Sequence, residues 1–349
     1  MLVAMDRRPE ALTMLESKVT YFEHSGVIRD EVGLLLMQDG QYPQAIEMLR
    51  RASILASDDL TIKEHLARAL FGGQLYAEAA GILADLVNNE KFNHRPDLLT
   101  MLGECQLQSG RAGDAIESFQ LASEMTPDSV GVWLGMARAQ LQLNSLRRAD
   151  LALRRCLAID PKNSQVYLLL GYLRLRESRL DESHEAFVQA NQLDPADTVA
   201  LCMVGLTLDK LGRAQEAAAY YQQALKIKPD YILALNDRGI AYAAKGSVDR
   251  AIQDFDQAIG LGPGYAAAFF GRALAYQDKM QWDFDAYLNE GRYEELAIRD
   301  YDEAIRLDPD EAMYVKNRAN AFRIIGQYDR AIADYRKALT LRLDEPAKM

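Results

Sequence analysis

The sequence predicts an all-α protein built as a linear array of helix–turn–helix repeats, and three observations carry that expectation. Pro127, Pro161, Pro195, Pro229 and Pro263 stand 34 residues apart without a slip, and a fixed period of this length is the mark of a repeat architecture. Proline lacks the amide hydrogen and clashes with the preceding helical turn, so each marks where one helical segment stops. Small residues recur at fixed places within every period. A glycine or polar turn divides most periods into halves, as in Asp39-Gly40-Gln41, Leu211-Gly212-Arg213 and Ile325-Gly326-Gln327.

On this ruler nine units begin near Gly26, Leu60, Pro96, Val130, Ser164, Thr198, Ile232, Ala266 and Ala312. The first half of each unit, helix A, carries a small slot: Gly33, Ala67, Gly103, Ala137, Gly171, Gly205, Gly239, Ala273 and Ala319. The second half, helix B, opens on another: Ala45, Ala79, Ala115, Ala149, Ser183, Ala217, Ala251, Ala297 and Ala331. Four residues further comes a bulky slot: Leu49, Leu83, Phe119, Leu153, Phe187, Tyr221, Phe255, Tyr301 and Tyr335. A third small slot, looser, follows from Ala52 to Ala338. Spacings of three and four place these groups on one helical face. Small residues let two axes approach while the bulky one fills the space beside them.

This pattern resembles the tetratricopeptide repeat family, over about residues 26–345. The resemblance implies a right-handed α-α superhelix (a solenoid) of about nine units, with helix A lining a concave face that holds peptides.

Taken in order, residues 1–25 read as a partial repeat or capping helix, because Pro9-Glu10-Ala11 precedes Pro43-Gln44-Ala45 by one period. Residues 26–231 form units one to six. Residues 232–345 form units seven to nine in a different dialect, and 346–349 are a tail. The late units place Arg238, Arg272 and Arg318 just before the first small slot, and Asp254, Asp300 and Asp334 just before the bulky slot. Their joint arrival predicts an ion pair between helices A and B within each late unit, since a partly buried charge demands its partner. The step from Pro263 to Pro309 is 46 residues, so the eighth unit holds an insertion at about 277–290. Its Trp282, Phe284 and Tyr287 suit an interface, or else pack back on their own helices.

Composition narrows the function. A net charge of −11 argues against nucleic-acid binding, which draws on a basic surface. The start has no signal-peptide pattern, and the most apolar window, 166–173, is too short to span a bilayer. The expectation is a cytoplasmic protein away from membranes. Cys105, Cys156 and Cys202 lack metal or redox spacing and read as core-filling residues. His24, His65, His94 and His184 are scattered, and Gly260-Leu-Gly-Pro-Gly264 falls on an inter-repeat turn without the strand a phosphate loop requires. The sequence offers no catalytic residue, no metal site and no cofactor site, so the expectation is a protein that is not an enzyme.

What remains is surface. The resemblance assigns partner contacts to helix A, which gives a groove of Leu134, Arg138, Leu168, Tyr172, Cys202, Leu206, Asn236, Ile240, Phe270 and Leu274. Its N-terminal stretch is polar and mostly acidic, with Asp30, Glu64, Arg68, Asp97, Thr100 and Glu104. The primary expectation is a non-catalytic scaffold whose protein or peptide partner brings hydrophobic anchors, and basic residues for the acidic end. In the alternative packing, Leu134, Leu168 and Leu206 lie between adjacent A helices and expose little. Two other functions stay open. One is a self-assembling solenoid, natural or an engineered chimera, forming a homo-oligomer through an apolar C-terminal end (Ile332, Leu339, Leu341) or the insertion. The other is the substrate-recruiting arm of a larger enzyme. Lys316, Asn317 and Asn320 match only part of the carboxylate-gripping set of a chaperone-binding subgroup, so tail binding of that kind is not expected.

Overall fold

The computed structural model describes residues 25–92, 94–282 and 292–344. These residues form α-helices and turns, with no strand among them. The helices alternate as A and B. The A helices are α1 (Gly26–Gln38), α3 (Leu60–Gly72), α5 (Pro96–Gln108), α7 (Val130–Gln142), α9 (Ser164–Arg176), α11 (Thr198–Lys210), α13 (Ile232–Ala244), α15 (Ala266–Trp282) and α17 (Ala312–Ile324). The B helices are α2 (Tyr42–Leu55), α4 (Tyr76–Val87), α6 (Ala112–Met125), α8 (Leu146–Ile159), α10 (Leu180–Leu193), α12 (Ala214–Ile227), α14 (Val248–Leu261), α16 (Arg292–Leu307) and α18 (Tyr328–Asp344). Every A helix begins at the residue that the proline ruler predicts.

The turns explain the period. Between A and B one residue adopts a left-handed backbone: Gly40, Gly110, Gly212, Gly246 and Gly326, and at the same register Gln74, Asn144 and Ser178. The next amide donates back to a carbonyl five residues earlier, as in Gln41 N to Leu36 O (2.9 Å) and Arg213 N to Leu208 O (2.8 Å). This is the Schellman closure, which glycine fits best because a side chain resists that conformation. Side-chain caps start several A helices: Asp59 accepts from the Thr61 amide, Asp197 from Val199, and Ser25 from Ile28.

The small slots do what their size predicts. A Cβ added at Gly171 would lie 2.4 Å from the Phe187 ring, and one at Gly205 would lie 2.6 Å from the Tyr221 ring. Both rings are fully buried. A second small position escaped the sequence reading. Gly135, on the next A helix, closes on the Phe119 ring that Gly103 already meets, and Gly271 does the same for Phe255 beside Gly239. Two of the aromatic rings are thus held between glycines of consecutive repeats.

The chain divides into two compact bodies, residues 1–169 and 170–349, with the division inside α9. In the first body each helix from α1 to α8 packs on its chain neighbours, and α1 also meets α3, as α5 meets α7. Its core runs through Val32, Leu49, Leu70, Leu83 and Leu98, then through Phe119, Val132 and Met136. In the second body helices α10 to α18 pack likewise in order, and α11 meets α13, as α13 meets α15. Its core includes Phe255, Ala275, Tyr301, Ala321, Val315 and Ala338.

The late-unit ion pairs form as expected. Arg238 donates to Asp254 at 2.6 and 2.8 Å, Arg272 to Asp300 at 2.7 Å twice, and Arg318 to Asp334 at 2.8 and 2.9 Å. Two of the arginines do more. Arg272 also donates to Asp256 of the preceding B helix (2.6 Å), and Arg318 donates to Asp302 of its preceding one (2.6 Å). Arg238 has no such second contact available, because Gln222 holds the corresponding place. The Arg272 and Arg318 pairs therefore join repeats as well as closing their own.

Part of the insertion lengthens its flanking helices. α15 has 17 residues where the other A helices have 13, and α16 starts two residues early on the register. The Trp282 side chain, Phe284 and Tyr287 lie outside the described residues, as do 1–24 and the tail.

Candidate partner-binding face

The proposed contact residues fall on two registers of the A helices. In the second body one register is Tyr172, Leu206, Ile240 and Leu274, and the other is Cys202, Asn236 and Phe270, each 34 residues from the next. Ile240 stands 48% exposed, while Tyr172, Leu206, Phe270 and Leu274 are half-buried. Tyr172 sets its ring edge-on to Phe187, with centroids 5.3 Å apart. Phe270 lies 4.8 Å from Tyr314 and 5.9 Å from Tyr301, and Leu274 packs into the same cluster. Cys202 and Asn236 are buried. Of the named residues in this body, Ile240 is the most open.

In the first body Leu134 is buried, Leu168 is half-buried, and Arg138 donates to Glu104. The acids expected to attract a basic partner are engaged internally. Asp30 meets His65 Nδ1 at 2.8 Å. Glu64 accepts from Arg68 (2.8 Å) and Arg95 (3.0 Å), and Asp97 accepts from the same two arginines at 2.9 and 2.8 Å. Hydrogen bonding from Arg95 brings the Asp97 carboxyl down to about 2. Burial works to raise Glu64, and hydrogen bonds from Arg95 and Arg68 outweigh it. The acidic end is largely neutralised, by arginines of its own segments and of neighbouring repeats.

The second body contains the opposite case. Asp209 on α11 and Asp237 on α13 are half-buried, and neither has a cationic partner among the described residues. Asp209 accepts from the Tyr221 hydroxyl at 2.9 Å, and Asp237 accepts from the Asn236 amide at 3.0 Å. Burial, joined by the charge of Asp237, raises the Asp209 carboxyl to about 6 although the Tyr221 hydrogen bond opposes it. Burial also raises Asp237. Neither aspartate figured in the sequence reading. The available signal was a charge at registers otherwise held by Leu175, Ala243 and Gln277, and by Met203 and Gly271.

Nothing among the described residues assembles metal chemistry, for no group of three or more histidines, cysteines, aspartates or glutamates comes together. The three cysteines are free and buried, and burial pushes the Cys105 and Cys202 thiols up to about 12. No described helix is long and apolar enough to cross a membrane. A cleft of about 480 Å³ opens between α17 and α18, lined mainly by Met313, Lys316, Tyr335 and Leu339.

Paired helices stacked in register at a fixed period define a helical-repeat fold. Comparison with known families agrees. The model described as the cilia and flagella-associated protein 70 C-terminal domain, a tetratricopeptide domain, matches residues 75–268, more than half of the chain. A tetratricopeptide repeat model matches 33–96 and 284–347. The chain belongs to the tetratricopeptide repeat family, whose members are typically non-catalytic scaffolds.

Among curated proteins, the BBSome complex member bbs-4 of Caenorhabditis elegans is 26% identical over 157 residues, covering 41% of this chain and 32% of that protein. The chain thus matches about a third of that relative's length. Among solved structures, a chain of the APC/C hetero-tetramer Cut9-Hcn1 superposes with a TM-score of 0.59 at 19% identity, covering 91% of this chain and 59% of that one. Pseudomonas aeruginosa pilF gives a TM-score of 0.55 at 20% identity, covering 64% of this chain and 97% of its own. These two likenesses concern the fold.

Proposed function

We propose that this protein is a non-catalytic scaffold that holds a peptide or helix of a partner against the A-helix face of its second body. The observation that carries the reading is Ile240, a large apolar side chain 48% exposed on a face whose repeat-to-repeat packing is already met by the buried small and bulky slots. With Leu206 and Tyr172 at the same register on the preceding A helices, it forms a row of apolar positions at repeat spacing. A partner segment with apolar anchors at matching intervals covers such a row.

The test uses peptides selected from a random display library by the full chain. Ile240→Asp, alone and with Leu206→Asp, is expected to weaken the selected peptides by about tenfold or more, as loss of a central anchor does. Ile227→Asp, at an exposed position of the B helix α12, is expected to leave affinity within about twofold. Circular dichroism confirms that each variant is folded. Undiminished binding by folded Ile240→Asp rules this face out.

A further inference from the structure

Around α11 and α13 in the second body, the described residues leave hydrogen-bond acceptors short of donors. Asp237 receives one amide hydrogen, from Asn236, and Asp209 receives one hydroxyl hydrogen, from Tyr221. An ionised carboxylate has room for about four donors, and side chains among the described residues fill only part of that capacity. The Asn236 side chain is only 3% exposed, and while its Nδ2 is spent on Asp237 its Oδ1 has no donor. A buried acceptor left unmet is costly to the fold.

The contrast with the paired carboxylates is sharp. Asp254, Asp300 and Asp334, buried on the B helices, each receive an arginine, and Glu64 receives two. Those three aspartates take their arginine from the paired A helix. Asp209 and Asp237 receive none among the described residues.

The surroundings favour a positive guest. Tyr231 and Tyr265 hold the same register at the starts of α13 and α15, and Tyr221 is the residue that donates to Asp209. Tyrosine faces attract cations in addition to any carboxylate, and the Tyr231 ring already receives Lys228 Nζ at 5.1 Å from its centroid.

We infer that Asp237 and Asp209, with the orphaned Asn236 carbonyl beside them, form a subsite for a basic side chain, lysine or arginine, of the bound partner segment. The inference rests on the A-helix face being the binding surface and adds to it a polar specificity. Ile240 takes an apolar anchor, and Asp209 on α11 with Asp237 on α13 takes a cation from the same segment. The guest supplies positive charge and several donors to a place that offers only acceptors.

The probe is again the peptide selected from a random dodecapeptide library by the full chain, synthesised with its basic residue and with norleucine in that place. The selected sequences are expected to share a lysine or arginine at fixed spacing from an apolar anchor. Norleucine is expected to weaken binding by about tenfold or more, the scale of a charged hydrogen-bonded contact. Asp237→Asn should produce the same loss, and in that variant the norleucine exchange should cost less than about twofold, as a shared interaction requires. Asp209→Asn should give a smaller loss in the same direction. Selected sequences without a fixed basic residue, a tolerated norleucine, or additive losses in the cycle overturn the inference. If those results come with Ile240→Asp still abolishing binding, the face stands and only the cation subsite falls. If Ile240→Asp also binds normally, both fall.

Discussion

At the scale of single residues, the chain places cost and specificity in the same few side chains. Asp209 shows this most directly. The unfolded chain releases its proton near pH 4, whereas the folded protein holds it to about pH 6 because of burial and the charge of Asp237. The folded state therefore binds more protons between those values, and stability falls as pH rises across that window. Asp209→Asn keeps an acceptor for the Tyr221 hydroxyl and removes the ionisation. It is expected to stabilise the protein at pH 7.5 by on the order of 1–2 kcal/mol and to change it little at pH 4. Thermal melts at the two pH values check this, and a loss of stability at pH 7.5 or an equal gain at both contradicts it. A variant that is more stable yet binds a basic peptide less well is what a functional carboxylate gives.

At the scale of elements, the turn, the small slot and the ion pair each solve one problem of stacking helices at a fixed period. The late-unit arginines bear a test. Arg272 sits between Asp300, which is 6% exposed, and Asp256 of the preceding repeat. Burial pushes the Asp300 carboxyl up and the Arg272 guanidinium pulls against it. Arg272→Met alone strands Asp300 and is expected to cost about 3–5 kcal/mol, whereas Arg272→Met with Asp300→Leu should recover most of that. Denaturant unfolding measures both, and a double variant as unstable as the single contradicts the pairing argument. These pairs were legible in the sequence because arginine and aspartate change together across three units. The helix starts were legible because proline and the small slots are local signals. The glycines at 135 and 271 were not, since each answers a ring from the preceding repeat rather than its own. The partnering of Glu104 was hidden for the same reason, since its Arg138 lies one repeat on, whereas Glu64 and Arg68 stand four apart on one helix and Arg95 and Asp97 two apart.

At the scale of the whole molecule, composition and repeat pattern fix what kind of surface the chain presents, while a few departures from the pattern say where it is used. Most A-helix side chains named from the sequence prove partly or wholly consumed by packing: Leu134, Cys202 and Asn236 are buried, and Phe270 and Leu274 belong to a cluster with Tyr301. Ile240 remains open, and Asp237, which the sequence reading passed over, lies three residues before it on the same helix. Both readings of function converge on α11 and α13. Hydrogen–deuterium exchange of the full chain, with and without a saturating selected peptide, tests that convergence most directly. The account predicts slower exchange concentrated in residues 198–210 and 232–244. Protection confined to the B helices α12 and α14, or to the α17–α18 cleft, would contradict it.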